Sequence, residues 1–336
     1  MFVIAGDIGG TNTRLLIAEV TATSCVSMFE KSYLSQDFHS LTDVLNTFLK
    51  EYDISAAVDA ACFAVAGPVI NKTVSVTNLP WIISEEELQK HLNTPDVTLI
   101  NDFIAVAHGI TELKDPDFIV LQQGQIPGNK KHPDCVVIGA GTGLGAAHIV
   151  YLDERYHYFS SEAGHSGFSP ANQIQTNLLS WMQVKHEHVS LEMILSGNGL
   201  VNIYNFFKDF IGIKESETVK NEMKIKNTSQ VITEYAQSGK DELCLEALTC
   251  FVNIYGAASG DIALHYYPVD EVYIAGGIAP KIKDEIAYSD FIHYFINKGL
   301  LTSNMKKITV KLILQDKVGL YGALSLLKST LSLQSQ

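Results

Sequence analysis

Residues Asp7 to Arg14 read Asp-Ile-Gly-Gly-Thr-Asn-Thr-Arg, a polar, glycine-rich turn set between two apolar stretches, Met1 to Ala5 and Leu15 to Val20. Gly9 and Gly10 have no Cβ, so the backbone there can take positive φ and press its N–H groups against a ligand. Thr11, Asn12 and Arg14 add side-chain donors. Such a turn suits phosphate. Asp7 is a carboxylate beside that anion site, an arrangement that makes sense if a hydrated Mg²⁺ arrives with the phosphates and supplies the opposite charge. Gly-Gly alone would be read as an ordinary hairpin turn, and the polar residues around it tip the reading towards a ligand.

The pattern recurs about 130 residues later, which suggests two halves built on one plan. Cys135 to Ile138 reads as a strand, Gly139 to Gly145 is Gly-Ala-Gly-Thr-Gly-Leu-Gly, and Ala146 to Leu152 reads as a strand again. Gly141, Gly143 and Ala146 approximate a dinucleotide fingerprint, but that fingerprint must open a helix and here a strand follows. No GxxxxGK[ST] loop is present either. A pair of glycine-rich hairpins is the better nucleotide-binding arrangement.

Between and beyond these turns the chain alternates strand and helix signals. Further strands are expected over Val26 to Leu34, Ala60 to Ala66, Val97 to Ile100, Glu271 to Ala275 and Ile308 to Leu314. Ser40 can cap a helix whose apolar face is Leu41, Val44, Leu45, Phe48 and Leu49, and Ser84 to Glu87 has capping-box spacing. Val97 to Ile100 runs directly into Asn101-Asp102 before a helical segment, Phe103 to Ile110, so polar residues sit at a strand's carboxyl end, where ligands collect in open α/β sheets. Helices dominate from Asn172, including Leu178 to Val184, Leu200 to Phe210 and a long stretch from Asp241 to Tyr266. Lys214 to Ser229, polar and charge-rich, reads as a solvated loop. The closing helix, Val318 to Leu333, can pack back on the first domain.

At 336 residues the chain has the length of two domains, and its 46% hydrophobic and 18% charged residues suit a compact folded protein. A formal net charge of −13 argues against nucleic acid or an anionic membrane as main partner. No apolar run approaches the roughly eighteen residues of a membrane span, and no basic leader with a cleavage site opens the chain, so a cytoplasmic location is expected. The five cysteines are widely spaced and read as reduced packing residues. His186 and His188 form an HxH better explained by an exposed helix end than by metal.

Six segments, Asp7-Ile-Gly-Gly-Thr-Asn-Thr-Arg14, Leu99-Ile-Asn-Asp-Phe103, Gly139-Ala-Gly-Thr-Gly-Leu-Gly145, Glu162-Ala-Gly-His165, Leu195-Ser-Gly-Asn-Gly-Leu200 and Ala275-Gly-Gly-Ile278, lie in one order over nearly the whole chain. In this the chain resembles the zinc-free bacterial glucokinases. The resemblance implies an α/β, two-domain actin-like (ribonuclease H-like) hexokinase-type fold with an inter-domain cleft. Its small domain would be residues 1–112, with 316–336 as a C-terminal helix packing back on it, and its large domain 113–315. It also implies ATP-dependent phosphorylation of glucose at the 6-hydroxyl and, commonly, a homodimer. By residue, Asn101 and Asp102 match sugar-binding positions, with Asp102 the catalytic base, and Glu162, His165 and Glu192 match further sugar ligands. Gly6, Asp7, Ile8, Gly9, Gly10, Thr11, Asn12 and Arg14 match one phosphate loop and Gly141, Thr142 and Gly143 the other. Gly276 and Gly277 match the adenosine side, and Asp7 is the candidate for Mg²⁺ through water.

The chemistry fits. A hexose presents neighbouring hydroxyls and a carboxylate accepts two hydrogen bonds at once, so Glu162 and Glu192 serve without altered acidity, and His165 can donate or accept. Asp102 would take the 6-hydroxyl proton as the oxygen attacks the γ-phosphoryl group. Each residue also has a plainer reading: Asp102 as a helix cap, Glu162 as a surface turn and Glu192 as a first-turn carboxylate. Two departures stand out. Ala163 replaces a glycine usual in Glu-Gly-Gly-His, adding a Cβ where backbone approaches sugar, and Asn198 replaces a frequent proline. A kinase for another hexose and a non-catalytic sugar sensor remain as alternatives. Sensing regulators carry a DNA-binding segment ahead of the first turn, and here six residues precede Asp7.

Overall fold

A computed structural model describes residues 1–21, 24–52, 57–125 and 130–334. The chain divides into two compact units, Met1–Lys114 with Lys317–Gln336, and Asp115–Asp316.

The first unit is built on strands β1 (Phe2–Ile8), β2 (Asn12–Val20), β3 (Cys25–Leu34), β4 (Ala60–Val65), the short pair β5 (Thr73–Ser75) and β6 (Ile82–Ser84), and β7 (Val97–Asn101). Helices α1 (Leu41–Tyr52), α2 (Glu85–Leu92) and α3 (Asp102–Ile110) connect them. The main sheet has order β3-β2-β1-β4-β7, with the first three strands antiparallel and β1, β4 and β7 parallel. Every residue of β4 is buried, as a parallel strand covered on both faces requires. Helix α1 buries Leu41, Val44, Leu45 and Phe48 on one face, and Ser40 Oγ accepts from Asp43 N–H at 3.1 Å to start it. Ser84 likewise caps α2 by accepting from Glu87 N–H.

The second unit contains β8 (Phe118–Gln122), β9 (Cys135–Ala140), β10 (Leu144–Leu152), β11 (Arg155–Ser161), β12 (Glu271–Ala275) and β13 (Thr309–Ile313). Its helices are α4 (Gln173–Gln183), α5 (Gly197–Phe206), α6 (Glu217–Glu222), α7 (Thr228–Gln237), α8 (Glu242–His265), α9 (Lys283–Tyr288), α10 (Phe291–Ile296) and α11 (Thr302–Met305). The sheet order is β11-β10-β9-β12-β13-β8. Strands β9, β10 and β11 form an antiparallel meander, and β9, β12 and β13 run parallel. This is the plan of the first unit repeated, with β8 added antiparallel at the edge. Strand β11, which completes the match, is not evident in the sequence, because its half-exposed residues carry neither a continuous apolar run nor clean alternation, whereas β8 does carry a short apolar run, Phe118 to Leu121, that the expected strands above do not include.

Two expectations need correction. Lys214 to Ser229 is not simply a loop: Ser216 caps α6, Asn227 caps α7, and Val219 is fully buried. Helix α8, 24 residues long, is long and apolar enough to span a membrane by composition, although Glu246, Asn253 and Asp261 interrupt its apolar run. Its apolar surface is used in the core, where Phe251, Ile254 and Tyr255 are buried. The five cysteines are free thiols, and burial pushes those of Cys62 and Cys250 up to about 12, so they are packing groups rather than nucleophiles.

The C-terminal helix α12 (Val318–Gln334) returns to the first unit and lies across α3, β1 and β4. Glycines set the distance of closest approach. A Cβ at Gly322 would lie far inside van der Waals contact distance of Ala105 O, and one at Gly109 far inside that of Val318 O. Gly322→Ala gains about 1 kcal/mol of helix propensity but drives a carbon into backbone that cannot rotate away. The expected result is a net loss of about 1–3 kcal/mol, read as a lower urea midpoint at unchanged slope. Near the crossing, burial pushes the His108 imidazole down to about 4, so it folds neutral. Between about pH 6.5 and 4 the unfolded chain therefore binds a proton that the folded chain refuses, and stability falls as pH drops through that window. His108→Gln should flatten that part of the stability profile by on the order of 2 kcal/mol, measured by urea unfolding at pH 7, 5.5 and 4.

Candidate active site

In the first unit the glycine-rich turn is the β1–β2 hairpin, with Asp7 opposite Arg14 and Ile8 opposite Thr13. Gly9 N–H donates to Asn12 O at 2.9 Å and closes the turn. Ser35, just after β3, braces it: its N–H donates to Thr11 O at 2.9 Å and its Oγ to Gly9 O at 2.8 Å. Neither Gly9 nor Gly10 adopts positive φ, contrary to the expectation from their sequence. Gly10 is required for a different reason: a Cβ there would sit 2.7 Å from Thr77 O. Thr11 and Asn12 are exposed, whereas Gly6 and Ile8 are buried within β1 and can offer a ligand only backbone. Asp7 is half-buried beside the first turn of α12, its Oδ2 3.5 Å from where a Cβ on Gly319 would stand. Carboxylates are favoured at that end of a helix.

At the end of β7, the two neighbouring polar residues have different jobs. Asn101 is the N-cap of α3: its Oδ1 accepts from Phe103 N–H at 2.9 Å and from Ile104 N–H at 3.3 Å. Its Nδ2 donates to Gly67 O at 3.3 Å, where the chain leaves β4. Asp102 is thus the first helical residue rather than the cap, and its Oδ1 accepts from Phe103 N–H at 3.0 Å, sharing that donor.

In the second unit the candidates interlock. Gly141 N–H donates to Gly143 O at 2.8 Å within the β9–β10 turn, and Gly197 N–H, opening α5, donates to Gly141 O at 2.9 Å. Gly277 lies against the same turn, 3.8 Å from a Cβ position on Gly141. Gly276 takes φ 84°, a left-handed conformation that also brings it onto Ala140 backbone. Beneath both turns the buried Tyr255 hydroxyl accepts from Ala140 N–H at 3.1 Å and donates to Ala275 O at 3.2 Å, tying the ends of β9 and β12 together.

Glu162, Ala163, Gly164 and His165 form a short 3-10 turn after β11, with Glu162 and His165 exposed and their side chains 3.9 Å apart. Gly164 is buried against Leu144 O, while the Ala163 side chain packs towards the hydrophobic core. Glu192 joins this turn through its backbone, N–H to Gly164 O at 2.8 Å. Its Oε2 accepts from Leu144 N–H at 3.0 Å. His188, set aside at the sequence level, bonds through Nε2 to His165 O at 2.9 Å and so steadies the same turn. Ser35 and Tyr255 carry no motif of their own, and the HxH of His188 gives no hint of this contact, so only their position in the fold reveals them.

No group of three or more His, Cys, Asp or Glu residues suited to a metal occurs among the described residues. A cavity of about 220 Å³ lies along α4 and α5, lined by Trp181, Lys185 and Asp209 among others, and none of the site residues above lines it.

Comparison with known proteins places the chain as a whole. The family model described as Glucokinase matches residues 4–330. The glucokinase of Nostoc sp. (strain PCC 7120 / SAG 25.82 / UTEX 2576) is 38% identical over 334 residues, covering 95% of this chain and 97% of the relative. That of Cronobacter sakazakii is 36% identical over 330 residues, covering 98% of each. Among solved structures, a glucokinase from an Antarctic psychrotroph has a TM-score of 0.80 at 30% identity, over 98% of this chain and 99% of that one. A ROK family glucokinase from Streptomyces griseus, in complex with glucose and AMPPNP, shares the fold with a TM-score of 0.64 at 19% identity, over 97% and 99% of the two chains. The fold is the two-domain, actin-like ATPase fold of the hexokinase type. With relatives at this identity over nearly its whole length, the chain belongs to the glucokinase family.

Proposed function

We propose that this chain transfers the γ-phosphoryl group of ATP to the 6-hydroxyl of D-glucose, giving glucose 6-phosphate and ADP. Family membership supports the reaction. The division of labour at the end of β7 supports the mechanism: Asn101 caps α3, so the adjacent Asp102 carboxylate is not required for capping. In this reading Asp102 is the general base, accepting the 6-hydroxyl proton while the oxygen attacks phosphorus in line with the departing ADP oxygen. Glu162, His165 and Glu192, with Asn101, bind the remaining sugar hydroxyls and orient the attacking oxygen. The exposed donors of Thr11 and Asn12 serve the nucleotide's phosphates, as does the turn Gly141-Thr142-Gly143, with Gly276 and Gly277 on the adenosine side.

Mg²⁺ fits the donor set. Asp7 offers hard oxygen next to the phosphate turn without a dedicated cage, the arrangement of an ion that keeps several waters and takes phosphate oxygens. Bound there, Mg²⁺ would neutralise phosphate charge. Water can replace the sugar as nucleophile, so a site whose catalytic geometry is completed by bound sugar limits ATP hydrolysis. The protein is also proposed to act in the cytoplasm as a homodimer, for which light scattering should return twice the 36.9 kDa chain mass.

A coupled ADP-release assay across a panel of hexoses, with Mg²⁺ and ATP, tests the reaction. Glucose should be turned over, and Asp102→Asn should bind glucose normally yet lose about 10²–10⁴-fold in kcat. Preferred turnover of another hexose would reassign the substrate. Glucose binding with no wild-type turnover would sink the kinase reading in favour of a sensor.

A further inference from the structure

Glu192 belongs at once to the proposed sugar site and to the backbone of the phosphate turn. Its carboxylate lies so close to Gly143 that a Cβ on that residue would overlap Oε2. The same oxygen accepts from Leu144 N–H at 3.0 Å, at the point where the turn enters β10. Two more contacts hold the carboxylate's own segment in place. Glu192 N–H donates to Gly164 O at 2.8 Å, and Gly197 N–H, five residues on, donates to Gly141 O at 2.9 Å. The stretch from Glu192 to Gly197 therefore grips the turn at both of its ends. Gly143 is accordingly glycine to admit a carboxylate, since it takes no positive φ.

We propose that Glu192 is a positioning residue for the phosphate-binding turn as well as a sugar ligand. Oε2 fixes the Gly143–Leu144 backbone in the shape that receives the nucleotide's phosphates, and Oε1, which makes no hydrogen bond among the described residues, meets a sugar hydroxyl. Leu144 N–H needs an acceptor: a part-buried amide without one is costly, and the turn would move to find another. A sugar hydroxyl donating to Oε1 holds the carboxylate in the same rotamer that Leu144 requires. Sugar and nucleotide then raise each other's affinity by one shared factor, as linkage demands. The identity of the two ligands rests on the glucokinase reading; the carboxylate-to-turn bond does not.

The test is binding of MgADP in the absence of sugar, by titration calorimetry, to the wild type and three variants. Glu192→Gln keeps an acceptor for Leu144 N–H and should bind MgADP within about twofold of wild type while its glucose affinity falls. Glu192→Ala, and Glu192→Met, which fills the space without offering oxygen, should both lose about 5- to 30-fold in MgADP affinity. Melting curves identify any variant that fails to fold, and Glu192→Met supplies the answer if Glu192→Ala is such a variant. Wild-type MgADP affinity in folded Glu192→Met overturns the inference, since a residue that only binds sugar leaves sugar-free nucleotide binding unchanged. The kinase reading fails separately, by absence of wild-type turnover with any hexose.

Discussion

Burial on both faces of the parallel strands decides where chemistry can occur in this protein. Every residue of β4, β9 and β12 is buried, so these strands can carry no exposed polar side chain along their length. Apart from the buried Gly139, Glu271 and Tyr273, polar and glycine residues lie where the strands end. Gly67 follows β4, Asn101 ends the neighbouring β7 and Asp102 follows it, Gly141 follows β9, and Gly276 and Gly277 follow β12. Each of these is the carboxyl end of a strand, where ligands collect in open α/β sheets, and at β7 the helix α3 begins there. Covering both faces stabilises the sheets and, by the same geometry, collects at the strand ends the groups proposed to bind ligands.

Much of this was legible in the sequence because strand burial and strand termination leave strong local signals. Ala60 to Val65 is continuously apolar and stops at Gly-Pro, and Glu271 to Ala275 ends at Gly-Gly. The duplicated hairpin was visible as well, since each copy pairs a glycine-rich turn with flanking apolar strands. Less legible was the reason for each glycine. Sequence suggests conformational freedom at Gly9 and Gly10, but neither of them, nor Gly143, uses positive φ. They make room, for Asn12 O, Thr77 O and the Glu192 carboxylate in turn. The contacts of Gly10 and Gly143 join residues far apart in the chain, and no local pattern encodes them.

Asn101 and Asp102 show the same limit from the other side. Either residue type caps a helix well, so local sequence leaves cap and catalytic base interchangeable at Asp102. Backbone geometry separates them: Asn101 has the extended φ and ψ of −63° and 146° expected of a cap, and Asp102 is already inside α3. An amide in the capping role also donates through Nδ2 to Gly67 O, which a carboxylate cannot do. Exchanging the two residue types would thus break the tether to Gly67 as well as move the charge.

The two departures from the family's usual motifs can be weighed by the same steric argument. In Glu162-Ala-Gly-His165 the obligate glycine is Gly164, whose missing Cβ leaves room for Leu144 O, whereas Ala163 turns its methyl towards the core. A side chain at 163 therefore adds apolar contact, and a glycine there is dispensable on packing grounds. In Ser196-Gly-Asn-Gly199 the obligate residue is Gly199, set against Ile194 O, and Asn198 is exposed at the start of α5. The first turn of a helix leaves its backbone N–H groups without intrahelical partners, so a residue with an N–H loses nothing there relative to proline beyond the preset φ. Both substitutions fall beside the residue that the fold cannot change, which is why the turns keep their shape while the motifs drift.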